Sequence, residues 1–153
     1  MRGVRAWRGP TLVFEDLTLE ISVGCSTAVL GPNGAGKSTL LRLLTREVHP
    51  EHRPEPSMRL FGKDRWDVWD LRRRLGVVSH DLQADVPPYA TGLDVVLSGF
   101  YSSRGVWPHQ RFSDEERLRA SATLERLGVE ALRARRYDVM STGEQRRVLL
   151  ARA

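Results

Sequence analysis

Cysteine is almost absent from this chain: Cys25 is the single one among 153 residues. A lone thiol closes no internal disulfide, so a disulfide-built scaffold is excluded and a cytosolic setting fits. No apolar run approaches the ~18 residues that a membrane-spanning helix requires. The N-terminus carries Arg2, Arg5 and Arg8 with no apolar stretch behind them, so it does not read as a secretory signal. Internal repeats and low-complexity tracts are missing too, which sets aside repeat arrays and compositionally biased segments. What is left is ordinary globular composition, 41% apolar and 28% charged. The chain is long enough for one domain with a hydrophobic core.

Basic residues outnumber acidic ones by 24 to 19, a net charge of +5. Arginine supplies most of the excess, clustered at Arg72-Arg73-Arg74, at Arg133 with Arg135-Arg136, and at Arg146-Arg147. A nucleic-acid surface would need these clusters to converge on one face. Solvated helix faces laced with ion pairs are the simpler reading.

Patterning along the chain alternates between strand and helix signals. Val4 to Trp7 and Leu12 to Phe14 read as strands about the Gly9-Pro10 turn. Leu17, Leu19 and Ile21 alternate with polar residues, as in a half-buried strand. Thr27 to Leu30 reads as a buried strand, Met58 to Phe61 and Val77-Val78 as two more. Leu40, Leu41, Leu43, Leu44 and Val48 recur at helical spacing and predict a helix over 38–47. His49 to Pro56, with three prolines, is a loop. A short helix is expected over 66–74 and another over 92–97, inside an otherwise loop-rich stretch from 79 to 112. Ser113 and Glu116 have capping-box spacing and open a helix that Gly128 closes. A helical piece over 130–135 follows, and a last helix starts near Gly143 and is still running at Ala153.

Between the strand at 27–30 and the helix after it lies Gly31-Pro32-Asn33-Gly34-Ala35-Gly36-Lys37-Ser38. It fits G-x-x-x-x-G-K-[ST] in full, in the strand-loop-helix setting that the motif requires. The spacing has a chemical reason. Glycines let backbone N–H groups curl round an anion without Cβ clashes. The helix adds the positive end of its dipole at the same point. Lys37 is placed to neutralise β- and γ-phosphates, and Ser38 to ligate the magnesium that bridges them. A chance match in a chain of this size should arise on the order of once in a few hundred, so the segment is read as a nucleotide phosphate loop.

Met140-Ser141-Thr142-Gly143-Glu144-Gln145-Arg146-Arg147 is the second landmark. Ser141 and Glu144 again have capping-box spacing, which by itself would only start a helix. The segment also resembles the LSGG-[QE]-x-x-R signature of the ATP-binding cassette family, and Val148 to Ala153 resembles that family's run into "LARAL". Ser141 follows Lys37 by 104 residues, about the family's separation, and Ala28 to Leu41 has the family's phrasing around the phosphate loop. The resemblance covers essentially the whole chain. It implies an α/β P-loop NTPase core with an antiparallel β subdomain and an α-helical subdomain, incomplete at the C-terminus. Residues 1–83 would form the nucleotide-binding core, 84–140 the helical subdomain, and 140–153 the signature and its helix.

The resemblance also implies roles. Gly31, Pro32, Asn33, Gly34, Ala35, Gly36, Lys37, Ser38 and Thr39 would cradle ATP, and Trp7 would stack on adenine, although an edge tryptophan is the alternative. Ser141, Thr142, Gly143 and Glu144 would cover the γ-phosphate held by a second cassette in a head-to-tail dimer. Thr142 stands where the motif has its first glycine, so a Cβ there crowds the partner's nucleotide. The glutamine that touches magnesium and the attacking water falls in 77–83. Strict spacing from Gly76 gives His80 and a slightly longer loop gives Gln83; an amide oxygen suits hard magnesium better than imidazole does. Magnesium is then expected on Ser38 and Gln83. Residues 84–140 would face a membrane permease, and Tyr89, Phe100, Tyr101 and Trp107 belong either to that contact or to a local core.

No apolar strand ending in Asp-Glu follows the signature within these residues, and no later γ-phosphate-sensing His. The expectation is therefore a fragment, cut in mid-helix, that binds ATP without hydrolysing it, and whose exposed sheet edges leave it marginally stable. For the parent protein the resemblance implies a cytoplasmic ATPase, peripheral to the membrane, that energises transport. A soluble cassette ATPase acting on nucleic acid, ribosomes or repair complexes is the alternative; nucleic acid is the less favoured partner.

Overall fold

Val4–Arg8 (β1) and Thr11–Leu17 (β2) pair antiparallel across the two residues Gly9 and Pro10. Alternation puts Val4 and Ala6 inside, both fully buried, and Trp7 outside; Arg8, beside the turn, is exposed as well. The computed structural model describes residues 1–153, which divide into two units, Met1–Val68 and Trp69–Ala153. The hairpin is the sheet of the first unit. Its pairing is irregular between Val4 and Trp7, where β2 carries extra residues. Beyond Leu17 the ladder gives way to single contacts: Leu19 exchanges backbone hydrogen bonds with Met1, and the Thr18 hydroxyl accepts from the Gly3 N–H. The alternation read through Ile21 thus keeps Leu19 half-buried but leaves Ile21 exposed.

The expected strand at 27–30 is absent. Residues 21–35 are exposed throughout, with Leu30 at 90%. An apolar run becomes a strand only beside a backbone that pairs with it, and nothing in the chain pairs with this one. The same holds at 77–78, which are irregular. At Met58 to Phe61 the pattern is right and the ladder is missing. Met58 and Leu60 are buried and Arg59 and Phe61 exposed, but the pairing is a tight Leu60–Lys63 bridge.

Helix α1 (Lys37–Leu44) buries Thr39, Leu40 and Leu43. It ends earlier than its apolar pattern because Arg46 turns to φ +59 and the N–H groups of Glu47 and Val48 both fold back onto the Arg42 carbonyl. A short α2 (Val68–Arg72) buries Leu71 and occupies the middle of the expected helix.

In the second unit α3 (His80–Asp85) is a helix where a loop was expected. Ser79 caps it, its Oγ accepting from the Leu82 N–H at 3.0 Å; a serine followed by an aspartate in the first turn was the signal. Helices α4 (Gly92–Ser98), α5 (Asp114–Arg126) and α6 (Thr142–Arg152) each start in a reciprocal capping box, from Thr91/Asp94, Ser113/Glu116 and Ser141/Glu144. Helix α5 stops in a Schellman turn: Gly128 sits at φ +65, its N–H reaches the Glu125 carbonyl, and the Val129 N–H reaches Leu124. Single 3-10 turns occupy Gly99–Tyr101, Glu130–Leu132 and Tyr137–Val139. The core gathers Val95, Leu97, Leu124, Val148 and Leu149, all nearly inaccessible to solvent. Each buried aliphatic side chain contributes about 1.5–3 kcal/mol, so this unit holds its helices by packing rather than by propensity.

Candidate functional site

The phosphate segment is held by the elements on either side of it. Gly34 and Gly36 adopt φ +86 and +89, the left-handed region that side chains avoid. Gly36 also packs against β2: a Cβ there would lie 2.8 Å from the Phe14 ring and 3.0 Å from Val13. The hairpin thus braces the last turn of the loop. Gly36 is the N-cap of α1 and offers no side-chain cap, and no acidic residue enters the first turn. The leading N–H groups of this helix are therefore left for an anion. Lys37 donates from Nζ to the carbonyl oxygens of Gly31 and Pro32, each at 2.7 Å. Both bonds lie within the loop, so the ammonium is held at its mouth. Ser38 is exposed, as are residues 31–35. An uncapped helix start, a left-handed glycine pair and a held ammonium fit a nucleotide's polyphosphate, and the free Ser38 hydroxyl fits a magnesium ion on it.

Trp7 is 42% exposed. It stands across from Leu12 on the same hairpin that supports Gly36. Its Nε1 donates to Glu51 at 3.4 Å and the Arg5 guanidinium lies 5.5 Å from its ring centroid.

In the second unit the signature segment is a working helix cap. The Ser141 N–H donates to Glu144 Oε2 at 2.7 Å, the Ser141 hydroxyl donates to the same oxygen, and the Glu144 N–H donates to Ser141 Oγ at 3.3 Å. The Ser141 backbone N–H and then its hydroxyl hold the Glu144 carboxyl below the usual carboxylate range, with Arg135 at 3.4 Å adding to the effect. Thr142 and Gly143 are exposed, and a Cβ on Gly143 would meet nothing. Ser141 and Glu144 thus form the capping box that their spacing predicts.

Gln83 lies on α3, with its side-chain Nε2 donating to Gln145 Oε1 at 2.8 Å; Gln145 in turn donates to the Tyr137 carbonyl at 2.9 Å. His80, the other candidate, is an exposed first-turn residue. The aromatics divide: Phe100 packs against the core, and Tyr101 stacks edge-on with Phe112 while donating to the Arg111 carbonyl. Tyr89 and Trp107 remain exposed. Several arginines of the expected clusters form exposed pairs, Arg73 with Asp70, Arg135 with Glu144 and Arg136 with Asp138.

Tyr137 was not singled out from the sequence. Its hydroxyl is buried with no partner, and burial pushes its pKa up to about 12 from 10. An unpaired buried hydroxyl costs about 1–3 kcal/mol. Tyr137→Phe is therefore expected to raise stability by about 1 kcal/mol in chemical denaturation. In the parent chain the unfolded phenol ionises near pH 10 while the folded one keeps its proton to about 12. Stability intact below pH 10 is then lost as pH rises through 12, and the phenylalanine variant should lose this alkaline dependence.

A phosphate loop opening a helix, joined in one chain to a capped serine-glycine helix start, defines a P-loop nucleotide-binding protein. The chain matches the ABC transporter family over residues 14–153, and it belongs to that family. It is 36% identical over 147 residues to the phosphonates import ATP-binding protein PhnC of Alcaligenes faecalis, covering 92% of this chain and 51% of that protein. It is 35% identical to the manganese transport system ATP-binding protein MntB of Bacillus subtilis, covering 92% and 53%. With the ABC transporter ATP-binding protein ModF of Escherichia coli the identity is 34%, over 92% of this chain and 29% of ModF. The chain thus spans about half or less of these relatives. Among solved structures, the ADP conformation of an ATP-binding cassette of an ABC transporter superposes with a TM-score of 0.68 at 20% identity, covering 99% of this chain and 61% of that one. A putative metal-chelate type ABC transporter gives 0.66 at 22%, covering 99% and 54%. These likenesses establish the P-loop ATPase fold. The family implies nucleotide binding, and no helix is long and apolar enough to cross a membrane.

Proposed function

We propose that the chain is a nucleotide-binding part of an ATPase that energises transport across a membrane. The observation that carries this reading is the phosphate loop with its held Lys37, in a chain whose relatives are named as import ATP-binding proteins. In this reading the N–H groups of the loop and the α1 start hold the β- and γ-phosphates, and Lys37 turns its ammonium from the Gly31 and Pro32 carbonyls toward them. Ser38 and Gln83 ligate magnesium through oxygen, and Trp7 faces adenine. Magnesium, when bound, would offset the charge of the phosphates. Ser141, Thr142, Gly143 and Glu144 cover the nucleotide of a second cassette, so two phosphate loops and two signatures close together in a head-to-tail dimer. The 1–83 core, the 84–140 helical subdomain and the 140–153 signature divide these tasks. The exposed Tyr89 and Trp107 are proposed to face a permease on the inner side of the membrane.

The test is ATP-dependent self-association of the full-length protein, followed by crosslinking in its native membranes. The expected result is a dimer that forms only with Mg·ATP and a crosslink to a multi-span membrane protein encoded with it. ATP-dependent capture of DNA, RNA or ribosomes, with no membrane partner, would replace the transport reading with the soluble one.

A further inference from the structure

Arg5, Trp7 and Glu51, all in the first unit, gather on the solvent side of the hairpin. Arg5 and Trp7 are two apart on β1, so strand alternation sends both side chains the same way. Glu51 is brought in by its backbone: its N–H donates to the Arg5 carbonyl at 2.7 Å, next to the Ala6–Pro50 bridge. Its carboxylate meets two donors on one oxygen. Trp7 Nε1 donates to Oε2 at 3.4 Å, and Arg5 Nε lies 3.5 Å from the same atom. Oε1 is left for a further donor.

The indole ring is covered on one side only. The Arg5 guanidinium lies over it, 5.5 Å from the centroid, and takes one face. The next residue in phase, Gly9, carries no side chain, and a Cβ built there would meet nothing within 4 Å. Trp7 is 42% exposed, so a flat base has a face to stack on. Glu51 stands at the Nε1 edge of the same ring, beside the rim of any base stacked there. A carboxylate only accepts, so it favours a base edge that donates. The 6-amino group of adenine donates, whereas the 6-oxo group of guanine or hypoxanthine accepts. Two facing acceptors stay unpaired, which costs binding. Arg5 offsets the charge of Glu51, which would otherwise oppose the approach of an anionic nucleotide.

We propose that Glu51 reads the base: beside the Trp7 platform, its free oxygen accepts from the 6-amino group of adenine and disfavours 6-oxo purine nucleotides. This role rests on the reading of Trp7 as the residue that faces adenine.

The test compares the affinities of ATP and inosine triphosphate, with magnesium, for the full-length protein and its Glu51→Gln variant. Glutamine keeps the size and an acceptor for the Trp7 N–H, but its outward group is then NH2, a donor. The expected result is an ATP-to-ITP affinity ratio that falls at least about fivefold in Glu51→Gln. Fivefold is about 1 kcal/mol, the net value of one hydrogen bond. Affinity for inorganic tripolyphosphate, which has no base, should stay within about twofold of the parent's. An unchanged ATP-to-ITP ratio would overturn the proposal. So would a tripolyphosphate affinity that falls as far as the ratio does, since the defect would then lie in the phosphate loop. Trp7→Ala tests the platform separately: it should weaken ATP and ITP at least about fivefold each and leave tripolyphosphate unchanged. If it weakens neither nucleotide, no base sits on Trp7 and the role of Glu51 falls with it. If it weakens both while Glu51→Gln leaves the ratio alone, stacking stands and only base reading is lost.

Discussion

Replacing Lys37 by alanine is expected to weaken ATP binding by about 100-fold or more. Lys37 is the cation of a loop otherwise made of glycine, alanine, proline, asparagine and serine. Its ammonium is already gathered at the loop mouth by two carbonyls at 2.7 Å, so little side-chain entropy remains to be lost when phosphate arrives. A charge-assisted hydrogen bond contributes about 1.5–3 kcal/mol. Two such bonds to phosphate oxygens give about 3–6 kcal/mol, or at least two decades in affinity. Lys37→Arg should recover little, because a planar fork does not reproduce a compact ammonium bound between two carbonyls. Titration calorimetry decides the matter: an alanine variant with parental affinity would remove the phosphate loop from the site.

Gly36→Ala should damage both stability and binding. The residue stands at φ +89, where a side chain costs about 1–2 kcal/mol. The new Cβ would also fall 2.8 Å from Phe14 Cζ and 2.9 Å from Cε1, and relieving such overpacking costs about 1–3 kcal/mol more. The sum, about 2–5 kcal/mol, is a large share of what a small unit possesses. Adding Phe14→Leu should return the steric part and leave the backbone part, so the double variant ought to lie between parent and single variant in denaturant midpoint. No recovery at all would mean that the hairpin does not brace the loop. ATP affinity should fall alongside, since moving Gly36 moves the start of α1.

Much of this protein is readable without coordinates. The two capping signals read from the sequence, Ser113/Glu116 and Ser141/Glu144, involve residues three apart, and helix starts depend on contacts that local; the Thr91/Asp94 box that starts α4 has the same spacing and was not singled out. The phosphate loop is legible for the same reason: its glycines, lysine and serine act through backbone groups within eight positions. The strands were harder. Met58 to Phe61 reads as a strand and does bury Met58 and Leu60, but a ladder needs a neighbour that the local sequence does not name.

The sequence alone therefore determined the family, the glycine-rich loop ahead of α1 and the starts of α5 and α6, because each rests on short-range backbone chemistry. Tertiary structure alone decided three things. It leaves residues 27–30 unpaired, it packs Phe14 against Gly36, and it joins Gln83 to Gln145 across 62 residues of chain. Each of these depends on which distant groups come within bonding distance, and packing sets that where periodicity cannot.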